Sequence, residues 1–119
     1  MDRLTLEKRT KSFHINVIKL CEMLPKTTAG FEIAKQLIRS AGSVGANYRA
    51  TKRAKSSNDF LNKLKIIIEE SDESLYWLEI IRDATLLQDE ALNSLIQEAN
   101  ELTSIFVASH KTAAGNREK

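Results

Sequence analysis

The sequence predicts an all-α fold, an antiparallel up-down-up-down four-helix bundle, and three observations point to it. Apolar residues recur at alternating spacings of three and four, as they do on the buried face of an amphipathic helix. One proline and four glycines in 119 residues are few enough for long uninterrupted helices. Short connections join four such segments, and helices joined in this way pack most economically as an up-down bundle within one domain, residues 1–119.

The first helix is predicted over residues 11–24, and we expect residues 1–10 to be frayed or extended. Its apolar positions recur at spacings of 4, 3 and 4: Phe13, Val17, Leu20 and Leu24. Pro25 ends the helix because a proline cannot continue the backbone hydrogen bonding. Cys21 is the only cysteine, so no intramolecular disulfide can form, and it is interpreted as a small apolar residue on the helix face.

A second helix is predicted over residues 28–55, capped by Thr27 or Thr28. Its core positions are Ala34, Leu37, Ala41, Val44 and Tyr48. A second seam consists of small or short residues: Ser40, Ser43, Asn47, Ala50 and Ala54. Gly42 and Gly45 lie in mid-helix, where each costs about 1 kcal/mol relative to alanine. These features predict close packing on two sides, one against the core and one against another subunit.

The third helix is predicted over residues 57–84, where Ser56 and Asp59 form a capping box. Its core seam is Phe60, Leu64, Ile67, Ser71, Leu75, Leu78 and either Ile81 or Arg82. Three further apolar residues, Ile66, Trp77 and Ile80, lie away from the centre of this seam and indicate a second buried surface. Together with two residues of the small seam they form the predicted oligomer interface: Ser43, Asn47, Ile66, Trp77 and Ile80.

The fourth helix is predicted over residues 90–111, with Asp89 as its cap and residues 112–119 as a flexible polar tail. The inward positions are Leu92, Leu95 or Ile96, Ala99, Leu102 and Phe106. In a hairpin that turns near residue 56, Arg39 lies level with Glu70 and Glu73 and is predicted to form an ion pair with one of them. The alternative is that all three side chains are solvated.

Charge is distributed unevenly along the chain. Residues 49–65 contain six cationic side chains and one acid, whereas residues 66–101 contain ten acids and one arginine. In the predicted topology the N-terminal arm, the turn between the second and third helices and the C-terminal tail meet at one end, with a formal charge of +9. Phosphate contact is the functional interpretation of this end, and it predicts mostly electrostatic, weakly sequence-specific binding of RNA or DNA. The predicted contact residues are Arg49, Lys52, Arg53, Lys55 and Lys63.

The alternative interpretation is a structural or protein–protein interaction module whose basic end serves solubility. An enzyme is not expected, because no serine lies in an elbow motif and neither histidine has a partner marked by the sequence. We also expect no metal, cofactor or small-molecule substrate, since neither histidine belongs to a Glu-x-x-His motif. Without an apolar run of roughly 18 residues or a signal peptide, a cytoplasmic location away from membranes is expected.

The stretch from Phe13 to Leu87 resembles a known family, the bacterial four-helix-bundle proteins encoded in intervening sequences of 23S ribosomal RNA genes. The matching stretches are Lys11-Ser12-Phe13, Lys35 to Ser40, Ser43 to Asn47, Asp59-Phe60 with Lys63-Leu64, and Glu69 to Leu78. The resemblance implies an antiparallel four-helix bundle that assembles as a ring-shaped homopentamer, and it supplies no catalytic residues. Related bundle proteins serve as nucleic-acid-binding accessory factors in retroelements. This chain departs from the family pattern in its basic residues at positions 48–53.

Overall fold

The computed structural model describes residues 1–118, and the side chains of residues 1–116, as a bundle of four α-helices. The helices are α1 (Arg3–Cys21), α2 (Thr28–Ala50), α3 (Ser57–Asp83) and α4 (Glu90–Glu118), and a 3₁₀ turn at Thr51–Arg53 follows α2. Consecutive helices pack on one another and α4 packs back on α1, within a rod of 51 × 22 × 21 Å. The predicted all-α bundle is therefore confirmed, while the pentamer stays a prediction.

Each helix begins at a side chain that accepts a hydrogen bond from a free backbone N–H of the first turn. Thr27 accepts from the N–H of Gly30 at 3.1 Å, and Ser56 accepts from the N–H of Asp59 at 3.1 Å. Asp89 accepts from the N–H of Ala91 at 2.8 Å. These are three caps that the sequence indicated, and they explain why α2, α3 and α4 begin where they do.

Four predicted boundaries were wrong. The first helix ends at Cys21 instead of residue 24. Residues 1–10 are not frayed, because α1 begins at Arg3 with Asp2 as its cap. The second helix ends at Ala50 instead of residue 55, and the chain tightens into the 3₁₀ turn before α3. Residues 112–118 continue α4 and are not an irregular tail, while Lys119 of that predicted tail lies outside the described residues.

The core lies along the bundle axis and holds large apolar side chains from all four helices. Those with no more than 1% exposure include Phe13, Leu37, Ile67 and Phe106. In α3 the positions predicted for Phe60 and Leu75 are only half-buried, and Leu61 and Ser74 are buried instead. No helix within residues 1–118 is long and apolar enough to cross a membrane.

Hydroxyl groups bond across the core where helices approach closely. The hydroxyls of Ser40 in α2 and Ser74 in α3 are 2.8 Å apart and both residues are fully buried. Thr103 of α4 donates to the hydroxyl of Ser71 in α3 at 3.1 Å. Buried hydroxyls of this kind cost little when they are paired, and their small size lets α2 and α3 pack tightly. Part of the small-residue seam of α2 is thus used inside the chain.

Candidate functional site

The start of α1, the end of α2 and the second half of α4 meet at one end of the bundle. The Nη2 group of Arg3 donates to the Tyr48 carbonyl at 3.1 Å and to the Thr51 hydroxyl at 2.8 Å. The same guanidinium lies 4.9 Å from the centre of the Tyr48 ring, which in turn packs on Phe106 at 5.4 Å. Arg3 therefore closes the C-terminal end of α2, where unsatisfied carbonyls favour a cation.

The five cations predicted to contact nucleic acid lie at this end, and they differ in what surrounds them. Within the part of the chain that the structure describes, Arg49, Arg53 and Lys55 are exposed and form no side-chain ion pair. Lys52 instead contacts Glu7 of α1 at 2.8 Å, and Lys63 contacts Asp59 at 2.7 Å within α3. Two of the five side chains are thus already held by an acid of the same chain.

Asp59 holds the first turn of α3 in place. Its carboxylate accepts from the Lys63 ammonium at 2.7 Å and from the backbone N–H of Lys55 at 2.9 Å. The hydrogen bond from Lys63 is the main cause that lowers the pKa of Asp59, and the Lys55 N–H adds to it. Lys63 is therefore occupied with the local structure of the turn, which makes it the weakest of the five candidates.

A surface groove of about 510 Å³ runs between α1 and α2 and opens at the basic end. We call it the α1–α2 groove. Four cationic side chains line it: Lys8 and Lys11 from α1, and Arg49 and Lys52 from α2 and the following turn. The remaining lining residues are Leu4, Glu7, Thr10, His14, Gly42, Gly45 and Ala46. Because α1 and α2 lie side by side here, cations from both walls line the same space.

Two glycines let the walls of the groove approach each other. A Cβ atom added at Gly45 would lie 3.6 Å from the backbone of Thr10, an ordinary contact distance. A Cβ atom added at Gly42 would lie 2.9 Å from the ring of His14, so that ring lies directly against the α2 backbone. The cost of a mid-helix glycine is thus offset by a close helix–helix contact that a side chain at position 42 would disturb.

Glu7 is the one acid among the described residues that line the groove. It contacts Lys52 at 2.8 Å and Arg3 at 3.3 Å, and its side chain is 20% exposed. The hydrogen bond from Lys52 is the largest cause that lowers the pKa of Glu7, and the charges of Arg3 and Arg49 add to it. Glu7 is therefore ionised at neutral pH and neutralises part of the positive charge of the groove from inside.

Sequence reasoning missed Lys8 and Lys11 as site residues. Both lie on the outer face of α1, one turn apart, but the expectation of a frayed N-terminus left Lys8 without a helix face. The signal that could have placed them is the cap Asp2, which accepts from the N–H of Thr5 at 2.8 Å. A second signal is the continuation of the buried stripe backwards through Thr10 to Leu6, at the same spacings of three and four.

Arg39 contacts both predicted acids: Glu70 at 3.4 Å, and Glu73 through a hydrogen bond. Its side chain is 52% exposed, so the arrangement is an ion pair on the outer surface of the α2–α3 pair. It links two neighbouring helices, α2 and α3, and Arg39 is not among the residues that line the groove.

The five residues of the predicted oligomer interface differ in how much surface they offer. Ile66 is 42% exposed, whereas Trp77 and Ile80 are half-buried and pack against the core. The amide of Asn47 donates to the carbonyl and the hydroxyl of Ser43, both at 2.8 Å, within α2. The interface stays a prediction, and Ile66 is its most accessible apolar member.

In residues 1–118 no three His, Cys, Asp or Glu side chains are grouped closely enough to hold a metal ion. Cys21 packs at the edge of the core, and its burial raises the pKa of the thiol to about 11. The thiol is therefore protonated at neutral pH, and it lacks the electropositive surroundings of a reactive cysteine. The groups available for ligand binding are at the basic end, where exposed cations can contact an anion.

Comparison with known proteins now identifies the family. The family model described as 23S rRNA-intervening sequence protein matches residues 2–108. The chain belongs to this family. The matched region includes the whole α1–α2 groove and all of α1, α2 and α3, so the family assignment covers the candidate site as well as the fold.

A solved structure from Bacteroides thetaiotaomicron is similar to this member of the 23S rRNA-intervening sequence family. It is described as a protein with unknown function from the S23 ribosomal protein family. The two chains are 29% identical, with a TM-score of 0.83 over 93% of this chain and 99% of the other. No curated protein matches the sequence. The family and its fold are thus established.

Proposed function

We propose that this protein is a non-enzymatic, cytoplasmic helical-bundle protein that assembles as a homopentamer and binds nucleic acid electrostatically through its basic end, with RNA the favoured polymer. The single observation that supports the proposal best is a group of exposed cations, Arg49, Arg53 and Lys55, that form no ion pair among the described residues. Arg49 also lines the α1–α2 groove, together with Lys8, Lys11 and Lys52. Cations that form no ion pair within the described part of the chain can release the counterions of a phosphate backbone when they bind it.

Assembly would strengthen such binding. A ring formed around an axis parallel to the bundles would place every basic end on the same side, so that several weak contacts act on one polymer at a high effective concentration. The exposed Ile66 and the half-buried Trp77 and Ile80 support a subunit contact along α3. Light scattering at micromolar concentration tests the assembly, and a mass of one chain would contradict it.

The alternative function, a protein–protein interaction module, is supported by a different observation. Several large apolar side chains are exposed away from the basic end, among them Ile15, Ile18 and Phe31. An exposed apolar surface often marks a protein contact. In this alternative the basic end only keeps the protein soluble, and removal of its charges leaves the function intact.

The test is a titration of a labelled single-stranded RNA, followed by fluorescence anisotropy at increasing salt. The wild-type protein is expected to bind at low salt, with an affinity that falls steeply as salt rises, by about −0.7 in log–log slope per phosphate contacted. The triple variant Arg49→Gln, Arg53→Gln, Lys55→Gln is expected to bind more weakly and with a flatter slope. These three side chains are exposed, so melting should not change.

The matched control removes the same charge from the opposite end of the bundle. Lys19, Lys26 and Lys35 are also exposed and form no ion pair among the described residues. Their replacement by glutamine should leave RNA binding close to wild type at about 0.1 M salt, where charges farther away than about 10 Å are screened. Equal losses in both triple variants, or no binding by the wild type at low salt, would favour the interaction module instead.

A further inference from the structure

We infer that the α1–α2 groove is the part of the basic end that receives the nucleic acid, and that it holds the phosphate backbone of a single strand. This inference rests on the proposed function. It adds the groove as the binding site, a single strand as the ligand, and Glu7 as an acid that competes with the phosphates for the cations of the groove. Cations enter the groove from both walls, Lys8 and Lys11 on one side and Arg49 on the other. A chain of phosphates lying between them would contact both rows at once.

The shape of the groove favours a single strand. Gly42 and Gly45 line the groove at positions where an added Cβ atom would lie 2.9 Å from His14 and 3.6 Å from Thr10 of α1, and its volume is about 510 Å³. A wide and rigid duplex would touch only the rims of a depression of this size, whereas a flexible single strand can lie along it. His14 lines the same groove and offers an aromatic ring. Cationic walls with an aromatic side chain are the combination by which proteins hold single strands.

Glu7 acts in this arrangement as a stand-in for a phosphate. Its carboxylate contacts Lys52 at 2.8 Å and Arg3 at 3.3 Å, so it occupies cations that an incoming phosphate would otherwise contact. The removal of this charge frees Lys52 and takes away a repulsive charge from the groove. We therefore expect Glu7→Gln to bind single-stranded RNA more tightly than the wild type, by a factor of a few.

The first experiment blocks the groove without changing the charge. Ala46 is exposed and lines the groove, so Ala46→Phe should place a bulky ring in the path of the strand. Affinity for a labelled poly(U) oligonucleotide should fall by about an order of magnitude at low salt, as expected for the loss of two or more phosphate contacts. Ala29→Phe is the matched control, since Ala29 is exposed on the first turn of the same helix and far from the groove.

The second experiment removes cations from the α1 wall of the groove, which the sequence analysis did not predict as part of the site. The double variant Lys8→Gln, Lys11→Gln should weaken single-strand binding and flatten the log–log salt slope by about 1.4, two contacts at about 0.7 each. Both lysines are exposed, so this variant remains informative even if Ala46→Phe fails to fold. Single-stranded DNA and duplex RNA are measured alongside, and we expect the duplex to lose less affinity in both groove variants.

The outcomes separate the groove from the wider proposal. If the wild type binds and the Arg49, Arg53, Lys55 variant weakens binding, the proposed function stands. If in that case Ala46→Phe and the Lys8, Lys11 variant both bind within twofold of the wild type, the groove inference is wrong. Glu22 is an exposed acid near the other end of α1, and Glu22→Gln is the control for Glu7→Gln. If Glu7→Gln raises the affinity for single-stranded RNA no more than Glu22→Gln does, the groove inference is also wrong. If the wild type binds no oligonucleotide, both proposals fail together.

Discussion

Helices α2 and α3 pack together differently from helices α1 and α2. Between α2 and α3 the fully buried hydroxyls of Ser40 and Ser74 are bonded, and large side chains such as Ile67 fill the surrounding core. Between α1 and α2 two glycines of α2 face His14 and Thr10 of α1, and the outer edge has charged contacts such as Glu7 with Lys52. The first interface is closed, whereas the second leaves an open groove.

This difference indicates where the molecule can bind a ligand without losing its fold. Core packing sets most of the stability of a small domain, and exposed charged contacts contribute little. The α2–α3 pair therefore acts as the rigid part, and exposed residues of α1 can change with little loss of stability. Variants at the two interfaces test this division, and their expected effects decrease from the buried core to the charged surface.

The largest loss of stability is expected for Ile67→Ala in α3. Ile67 is 0% exposed, and truncation of such a residue removes transfer free energy and leaves a cavity, together about 2–5 kcal/mol. Denaturant unfolding followed by circular dichroism measures this loss. Ile15→Ala in α1 is the control, because Ile15 is 42% exposed and should cost no more than about 0.5 kcal/mol. Similar losses in the two variants would contradict the division between a packed pair and an open edge.

A smaller loss is expected for Arg9→Ala, which removes a charged link between α1 and α4. Arg9 donates to both carboxylate oxygens of Glu98, at 2.6 and 2.7 Å, and to Glu101 at 2.9 Å. These hydrogen bonds raise the pKa of Arg9, and its side chain is only 22% exposed. A bidentate pair of this kind contributes about 1–3 kcal/mol.

Thermal melting at low and high salt checks the Arg9 prediction. The loss in Arg9→Ala should be partly masked at high salt, because salt screens the wild-type pair as well. Arg82→Ala is a suitable control, since among the described residues the ion pair of Arg82 is with its neighbour Asp83 in the same helix. An Arg9→Ala melting temperature equal to that of the wild type would show that core contacts alone hold α1 on α4.

The fold could be predicted from the sequence where the signals are local. Periodic apolar residues and local caps such as Ser56 predict the four helices and their order, because both signals depend on neighbours in the chain. The start of α1 was missed because Thr10, buried at 1% exposure, interrupts the apolar stripe with a polar residue. Its hydroxyl bonds to the Glu7 carbonyl at 3.0 Å, a local solution that composition does not indicate.

The candidate site was predicted only in part, because its geometry depends on contacts between segments that are distant in the chain. Charge along the sequence indicates the basic end, and Arg49, Arg53 and Lys55 lie there as exposed cations. Which cations are already neutralised depends on contacts between distant segments, as between Glu7 and Lys52. The groove likewise results from the register of α1 on α2, in which His14 meets Gly42. Neither contact is encoded in a local pattern.

A gain of about 1 kcal/mol or less is expected for Gly45→Ala in the α1–α2 groove. Alanine favours the helix by about that amount, and its Cβ would lie at an ordinary 3.6 Å from Thr10. Gly42→Ala is the matched comparison on the same helix, because its Cβ would meet the His14 ring at 2.9 Å and force that ring to move. The melting temperature should rise for Gly45→Ala and rise less, or fall, for Gly42→Ala. Equal gains would mean that the His14 ring is not held against α2.

The smallest effect is expected for Arg39→Ala on the outside of the α2–α3 pair. Arg39 contacts Glu70 and Glu73, but its side chain is 52% exposed, so water and salt screen the interaction. Exposed ion pairs contribute about 0–1 kcal/mol, and removal of one partner leaves acids that solvent can hydrate. A double-mutant cycle of Arg39→Ala with Glu73→Gln measures the coupling directly from unfolding free energies. A coupling well above 1 kcal/mol would show that the pair contributes as much as a buried contact of the α2–α3 interface. The expectation that charged contacts on the surface contribute little to stability would then be wrong for this interface.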